Sequence, residues 1–152
     1  MESFRLDGRR ALVTGGSKGI GVGLARGLAE AGADIVLMAR NEKELEQTRD
    51  VLQETGRSIG IASSDLSRPE EIPQVYADVE AQHGPVDILV NNAGTTYRSP
   101  AHELPLSNWQ NVIDVNLTAA FAMSQAFAQS RMAAGAPGKI INIGSLMSST
   151  TR

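Results

Sequence analysis

Eight consecutive residues, Thr14-Gly15-Gly16-Ser17-Lys18-Gly19-Ile20-Gly21, have the types and spacing to hold an anion. Gly15 lets the chain turn sharply out of the apolar run Ala11-Leu12-Val13, and Gly19 removes a side chain that would stand in front of a phosphate. Gly21 lets a following helix press close to a sheet. A helix opening at Ile20 would aim unpaired N–H groups and its positive dipole end at the anion. No Gly-Lys-Ser/Thr follows, so the string is not a P-loop. Its Gly-x-x-x-Gly-x-Gly spacing is looser than the tight dinucleotide fingerprint. A turn with no ligand would use the same glycines, so residues elsewhere must decide.

Four further groups of residues fall where such a site would need them. Asp65-Leu66 offers a carboxylate acceptor beside a backbone amide, although an aspartate there can also serve a helix entry. Asn91-Asn92-Ala93-Gly94 follows an apolar run, and its small residues would let a ligand approach the backbone. Asn116 lies amid the apolar positions Trp109, Val112, Ile113, Leu117, Ala120 and Phe121, where a polar side chain needs a partner. Ser145 places a hydroxyl after Ile140 to Ile143. Tyr76, Tyr97, His83 and His102 show no base–nucleophile pairing, and both histidines read as surface residues. The sequence has no cysteine, which excludes disulfides, thiolate nucleophiles and cysteine-bound zinc. No metal site is expected.

The elements that would carry these residues alternate. Ala11 to Val13 read as the first strand, and Ile20, Leu24, Leu28 and Ala31 as the inner stripe of the first helix. Ile35 to Ala39 is a continuous apolar run, suited to a strand covered on both faces. Asn41 with Glu44 forms a capping pair opening a polar helix with Leu45 and Leu52 inward, stopped at Gly56. Ile59 to Ala62 is a third strand, and Ser67 with Glu70 a second capping box. The helix after it carries Ile72, Val75, Tyr76 and Val79, with Pro73 as an irregularity. Val86 to Val90 is the fourth strand. Ser107 with Gln110 is expected to cap a long helix running toward Ala134, and Ile140 to Ile143 is the fifth strand. Five alternations predict an α/β fold, a doubly wound parallel sheet of Rossmann type in the order 3-2-1-4-5, ending after the fifth strand. Ligands would gather at the carboxyl ends of the strands, near the switch point.

The chain has 152 residues, 41% of them hydrophobic and 20% charged, with a net charge of −3. These values describe an ordinary globular domain and give no reason to expect nucleic acid as a partner. No run approaches the ~18 apolar residues of a membrane span, and residues 1–10 do not resemble a signal peptide. A soluble, cytoplasmic setting is the expectation.

Taken together, Thr14 to Gly21, Asp65-Leu66, Asn91 to Gly94, Asn116 and Ile141-Asn142-Ile143-Gly144-Ser145 resemble the short-chain dehydrogenase/reductase family, in its order and across the whole chain. The resemblance implies that Gly15, Gly16, Ser17, Lys18, Gly19, Ile20 and Gly21 hold a dinucleotide pyrophosphate. It implies that Asp65 accepts from the adenine amino group beside the Leu66 backbone, and that Asn91, Asn92, Ala93 and Gly94 line the adenine ribose. Asn116 would kink its helix and hold a relay water, and Ser145 would hydrogen-bond the substrate oxygen. An acidic residue at the end of the second strand binds the ribose 2′-hydroxyl in NAD-preferring members. Here that position is Ala39, followed by Arg40, and Lys18 adds a second cation. NADP(H) is therefore expected over NAD(H).

The family's tyrosine and the lysine four residues beyond it are expected about a dozen residues after Ser145. They do not occur in this sequence: Tyr76 is followed four residues later by Glu80, and Tyr97 by Ala101. Residues 1–152 thus read as an incomplete dinucleotide-binding domain from an oxidoreductase interconverting a secondary alcohol and a ketone. The fifth strand would be an open edge, and the isolated chain marginally stable, aggregation-prone and inactive. The string Lys139-Ile-Ile-Asn-Ile-Gly-Ser-Leu-Met-Ser148 resembles the gluconate 5-dehydrogenase branch, with 3-oxoacyl-carrier-protein reductases close by. Arg98 could face a carboxylated small-molecule substrate. Homo-oligomerisation would use the helix through Phe121 and Phe127, which could equally be core. The alternative is a non-catalytic nucleotide-binding or subunit-interaction module.

Overall fold

The computed structural model describes residues 4–145. Five strands form one sheet: β1 (Arg10–Thr14), β2 (Asp34–Ala39), β3 (Ile59–Ser63), β4 (Ile88–Asn91) and β5 (Lys139–Asn142). Every pairing is parallel and the order is β3-β2-β1-β4-β5, as the alternation of elements predicts. Val13 lies between Leu37 and Val90 in register, so β1 is the centre of the switch point.

Side chains alternate across the strands and divide the core in two. Leu12, Val36, Met38 and Leu89 face one layer, built by Tyr76 and Val79 of α3 (Ile72–His83) and by Met123 and Phe127 of α5 (Ala119–Ala133). Ala11, Val13, Ile35, Leu37 and Val90 face the other, built by α1 (Ile20–Glu30) and α2 (Glu42–Leu52). The interior of β2 is buried throughout, which is why its sequence is apolar without alternation.

The first helix packs on a different face from the one its leucines suggest. Ile20 is 69% exposed, and the inner face is Gly21, Ala25 and Ala29, with Leu24 and Leu28 only half-buried at its margins. Small residues on this face bring the helix axis close to the strands, and that closeness outweighs the larger apolar area of the leucine stripe. In α2 the expected cap forms: Asn41 accepts from the Glu44 N–H at 3.3 Å, and Leu45 and Leu52 are fully buried. Gly56, at φ 72°, ends the turn that follows.

The second expected capping box does not form. Ser67 donates its N–H to Asp65 Oδ1 at 3.0 Å, Pro69–Glu71 make a 3₁₀ turn, and α3 starts at Ile72, with Pro73 in its first turn where no N–H is needed. Nor does Ser107 cap the long helix. The chain enters α4 (Leu106–Ile113) from Pro105 with no side-chain cap, passes through a π-helical turn at Asp114–Thr118, and continues as α5. The stripe read from the sequence is correspondingly broken. Trp109, Leu117 and Phe121 are more than half exposed, while Met123, Ala126 and Phe127 make the buried face. His83 is also not a free surface residue: it is half-buried beside Gly60, with Nε2 3.3 Å from the Ile61 carbonyl oxygen. β5 pairs only with β4 among the described residues, and Ile140, Ile141 and Ile143 are each more than a third exposed.

Candidate functional site

The carboxyl ends of β1, β2, β3 and β4 open into a cleft of about 980 Å³. Its floor is the glycine turn. Gly15 has φ 65°, the left-handed conformation a turn out of β1 requires, and a Cβ there would come within 2.9 Å of the Ala93 Cα. At Gly21 a Cβ would collide with the Gly15 carbonyl oxygen and approach Asn92 Nδ2 to 2.8 Å. Gly19 also has positive φ, 58°, and the direction of its missing Cβ is open space. The turn is therefore tight where it meets the sheet and bare where it meets solvent, the shape an anion cradle needs.

Thr14 joins the two halves of the floor, a role the sequence reading did not assign. Its buried hydroxyl donates to the Val90 carbonyl at 3.2 Å and accepts from the N–H groups of Asn92 and Ala93, both at 3.0 Å. Asn92 returns the contact, donating its side-chain amide to the carbonyls of Thr14 and Gly15 at 3.1 and 3.2 Å. A threonine at the end of a buried strand, next to a glycine turn, was the available signal. These bonds lock the ends of β1 and β4 together, so the amides of the glycine turn and the small residues Ala93 and Gly94 border one opening.

The residues singled out from sequence divide in the structure. Gly15, Ser17, Lys18, Ile20, Gly21, Arg40, Asp65, Leu66, Asn92, Ala93 and Gly94 line the cleft. Gly16 does not: it is buried, its N–H donating to the Met38 carbonyl and its missing Cβ facing Leu37. Asn91 also turns away. It is 7% exposed, and its amide donates to Asn142 Oδ1 at 2.8 Å and Ser124 Oγ at 3.0 Å, tying β4 to β5 and α5. Gly19 shapes the turn at its rim. Asn116 is exposed rather than enclosed by apolar neighbours; it accepts from the Thr95 N–H at 2.7 Å and donates to the Thr95 carbonyl at 2.9 Å. The π-helical turn that contains Asn116 sets it one step out of the helical stripe and brings it to the segment after Gly94. Ser145 lies beyond the carboxyl end of β5, after Ile143, whose N–H donates to the Asn91 carbonyl.

The electrostatics of the opening are mixed. Ala39 ends β2 and Arg40 follows it, with no carboxylate at either position. Lys18, Arg40 and Lys43 line the cleft, as do Glu42, Glu44 and Asp65. Asp65 is held ionised: the Ser67 N–H, and after it the charges of Arg40 and Arg68, keep its carboxyl below the ordinary aspartate value. Glu44, read from sequence only as a capping residue, accepts from Ser17 Oγ at 3.0 Å and stands 4.0 Å from Lys18 Nζ. Thr48, one turn further along α2, donates to the Ser17 carbonyl at 2.9 Å. Among the described residues, no group of three His, Cys, Asp or Glu side chains gathers into a metal site, and no helix is long and apolar enough to cross a membrane.

Neither tyrosine enters the cleft. Tyr76 is buried in the core and donates to Glu80 Oε1 at 3.0 Å, and burial and the Glu80 charge hold its phenol protonated far above the ordinary range. Tyr97 is half-exposed in the segment after Gly94.

Comparison with known proteins places this architecture. Residues 9–152 match the family described as short chain dehydrogenase. The chain is 39% identical over 149 residues to gluconate 5-dehydrogenase of Gluconobacter oxydans, and 41% identical over 147 residues to 2-dehydro-3-deoxy-D-gluconate 5-dehydrogenase of Bacillus subtilis. These alignments cover 98% and 97% of this chain, but 58% and 57% of those proteins. A crystal structure of a gluconate 5-dehydrogenase from Burkholderia cenocepacia, in complex with NADP and tartrate, superposes with a TM-score of 0.89 at 42% identity. That superposition covers 99% of this chain and 59% of the other. The chain thus spans somewhat more than half the length of the relatives it matches. On fold and sequence alike, it belongs to the short-chain dehydrogenase family.

Proposed function

We propose that this chain forms the NADP(H)-binding half of an oxidoreductase that interconverts a secondary alcohol and a ketone, with a sugar acid of the gluconate type as substrate. The observation that carries the reading is the composition of the cleft at the end of β2. Ala39 stands where a carboxylate would bind a ribose 2′-hydroxyl, and Arg40 and Lys18 border the same opening. A guanidinium and an ammonium suit a phosphate ester, and nothing at position 39 repels it. The cradle fits the rest of the dinucleotide. The open rim at Gly19 and the first N–H groups of α1 would receive the pyrophosphate, and the Asp65 carboxylate would accept from the adenine amino group. Ala93 and Gly94 would leave room for the ribose.

When bound, the nicotinamide would supply the hydride acceptor or donor. The chain's own residues bind and position. In this reading Thr14 and Asn92 fix the floor, and Asn116, clamped to the Thr95 backbone, orders the wall after Gly94. The Ser145 hydroxyl would hydrogen-bond the substrate oxygen at the carboxyl end of β5. The acid/base group that moves the hydroxyl proton would come from outside residues 1–152, since Tyr76 is committed to the core and Tyr97 has no lysine four residues on. The NADP complex of the Burkholderia cenocepacia relative supports the cofactor, and the gluconate names of the relatives support the substrate class. Trp109, Leu117 and Phe121, exposed on one long helical segment, support a homo-oligomer, whereas Phe127 is core.

Replacing Arg40 by alanine tests the cofactor assignment. Loss of one charge-assisted contact, about 1.5–3 kcal/mol, weakens NADPH binding at least tenfold in a fluorescence titration, while NADH affinity stays within about twofold. Equal loss for both nucleotides contradicts the assignment.

A further inference from the structure

We infer that Glu44 is a specificity-determining residue: an internal anion seated in the place of the cofactor's 2′-phosphate, which that phosphate must displace. The inference rests on the reading of the cleft as an NADP(H) site. Glu44 occupies the third position of α2, where a capping partner would turn its carboxylate back to the Asn41 N–H. Here the carboxylate goes elsewhere. Oε2 accepts from Ser17 Oγ at 3.0 Å and stands 4.0 Å from Lys18 Nζ, and both partners belong to the glycine turn.

This places one carboxylate on the hydroxyl and the ammonium that a phosphate would use. Lys18 is 81% exposed and Glu44 36% exposed, so the pair sits in water and can part at low cost. The turn itself does not have to move. The Ser17 carbonyl is held independently by Thr48, one helical turn beyond Glu44, so the backbone stays in place when the Glu44 side chain swings out. The charge balance points the same way. Three cations, Lys18, Arg40 and Lys43, face three carboxylates, Glu42, Glu44 and Asp65, along the cleft. Neutralising Glu44 leaves a net positive opening and releases Lys18, and removing the side chain releases the Ser17 hydroxyl as well. A nucleotide without a 2′-phosphate would place its 5′-phosphate at the open rim of Gly19 and the first N–H groups of α1, and would depend less on this pair.

The test compares two small probes by isothermal titration: adenosine 2′,5′-bisphosphate, which carries the 2′-phosphate, and adenosine 5′-monophosphate, which does not. In Glu44→Gln the affinity for the bisphosphate rises about fivefold at low salt, and the gain shrinks as ionic strength increases. Affinity for the monophosphate rises by less than about twofold. Glu44→Ala behaves alike, so the result does not depend on one variant folding well. Glu42→Gln removes the same charge from the same cleft but has no hydrogen bond or ion pair with Ser17 or Lys18 among the described residues, and it produces a smaller gain. An unchanged or weakened bisphosphate affinity in both Glu44 variants overturns the inference while leaving the cofactor reading intact. Equal gains in Glu42→Gln and Glu44→Gln overturn it too, by showing a general field rather than a seat. Failure of the wild-type protein to distinguish the two probes overturns the cofactor reading beneath it.

Discussion

At the scale of single residues, the cleft is built mostly from groups whose work is to stay still. The Thr14 hydroxyl has one donation and two acceptances, which use its full capacity at the junction of β1 and β4. Asn92 reads from sequence as a ligand-facing asparagine, yet its amide is spent on the Thr14 and Gly15 carbonyls. Asn91 is spent on β5 and α5. The motif Asn-Asn-Ala-Gly was legible as a place, but the division of labour within it was not, because which side of a strand end a side chain takes depends on pairing with partners distant in sequence. Asp65 shows the same economy: a Ser67 N–H and the Arg40 and Arg68 charges favour its ionised form. A carboxylate held below its ordinary value adds stability that is complete above that value and is lost as the pH falls through the lower, folded one. An NMR titration of the Asp65 carboxyl is expected to give a midpoint below 3.8, and the Asp65→Asn variant should lose less stability than wild type in that acid range. A midpoint at or above 3.8 would contradict the arrangement.

At the scale of elements, packing distance decides more than hydrophobic periodicity does. The stripe Ile20, Leu24, Leu28 and Ala31 is a fair helical pattern, yet α1 presents Gly21, Ala25 and Ala29 to the sheet, because the glycine turn holds Gly21 against the Gly15 backbone at the end of β1. That close approach points the first turn of α1 into the cleft. Gly21→Ala is therefore expected to destabilise the fold by about 1–3 kcal/mol, since the added methyl meets backbone that cannot move freely. Thermal unfolding checks this; a melting temperature equal to wild type would show that the contact relaxes. The long helix was legible as a helical span and not as two helices. The kink that the family resemblance implies at Asn116 falls in the π-helical turn at Asp114–Thr118, where the Asn116 side chain is bonded to the Thr95 backbone. The capping pair Asn41–Glu44 was legible by half. The backbone cap formed, while the Glu44 side chain went to the glycine turn because Ser17 and Lys18 offer it a better partner than an exposed N–H.

At the scale of the whole molecule, strand order and the location of the opening followed from the alternation of elements alone, since parallel crossovers leave few topologies and put the ends of β1 and β4 at the switch point. The described surface carries Trp109, Leu117 and Phe121 along one long helical segment and the exposed isoleucines of β5 at the sheet edge. Both are apolar areas of the kind that seek a covering element or subunit. The chain spans somewhat more than half of its relatives' length. Residues 4–145 build a cleft whose rim carries Lys18, Arg40 and Lys43, the cations proposed to receive a 2′-phosphate. The direct test is the ratio of dissociation constants for NADH and NADPH, measured by fluorescence titration of the wild-type protein at fixed ionic strength. The account predicts that NADPH binds at least tenfold more tightly, as one charge-assisted contact of about 1.5–3 kcal/mol requires. Equal affinities, or a preference for NADH, would contradict it.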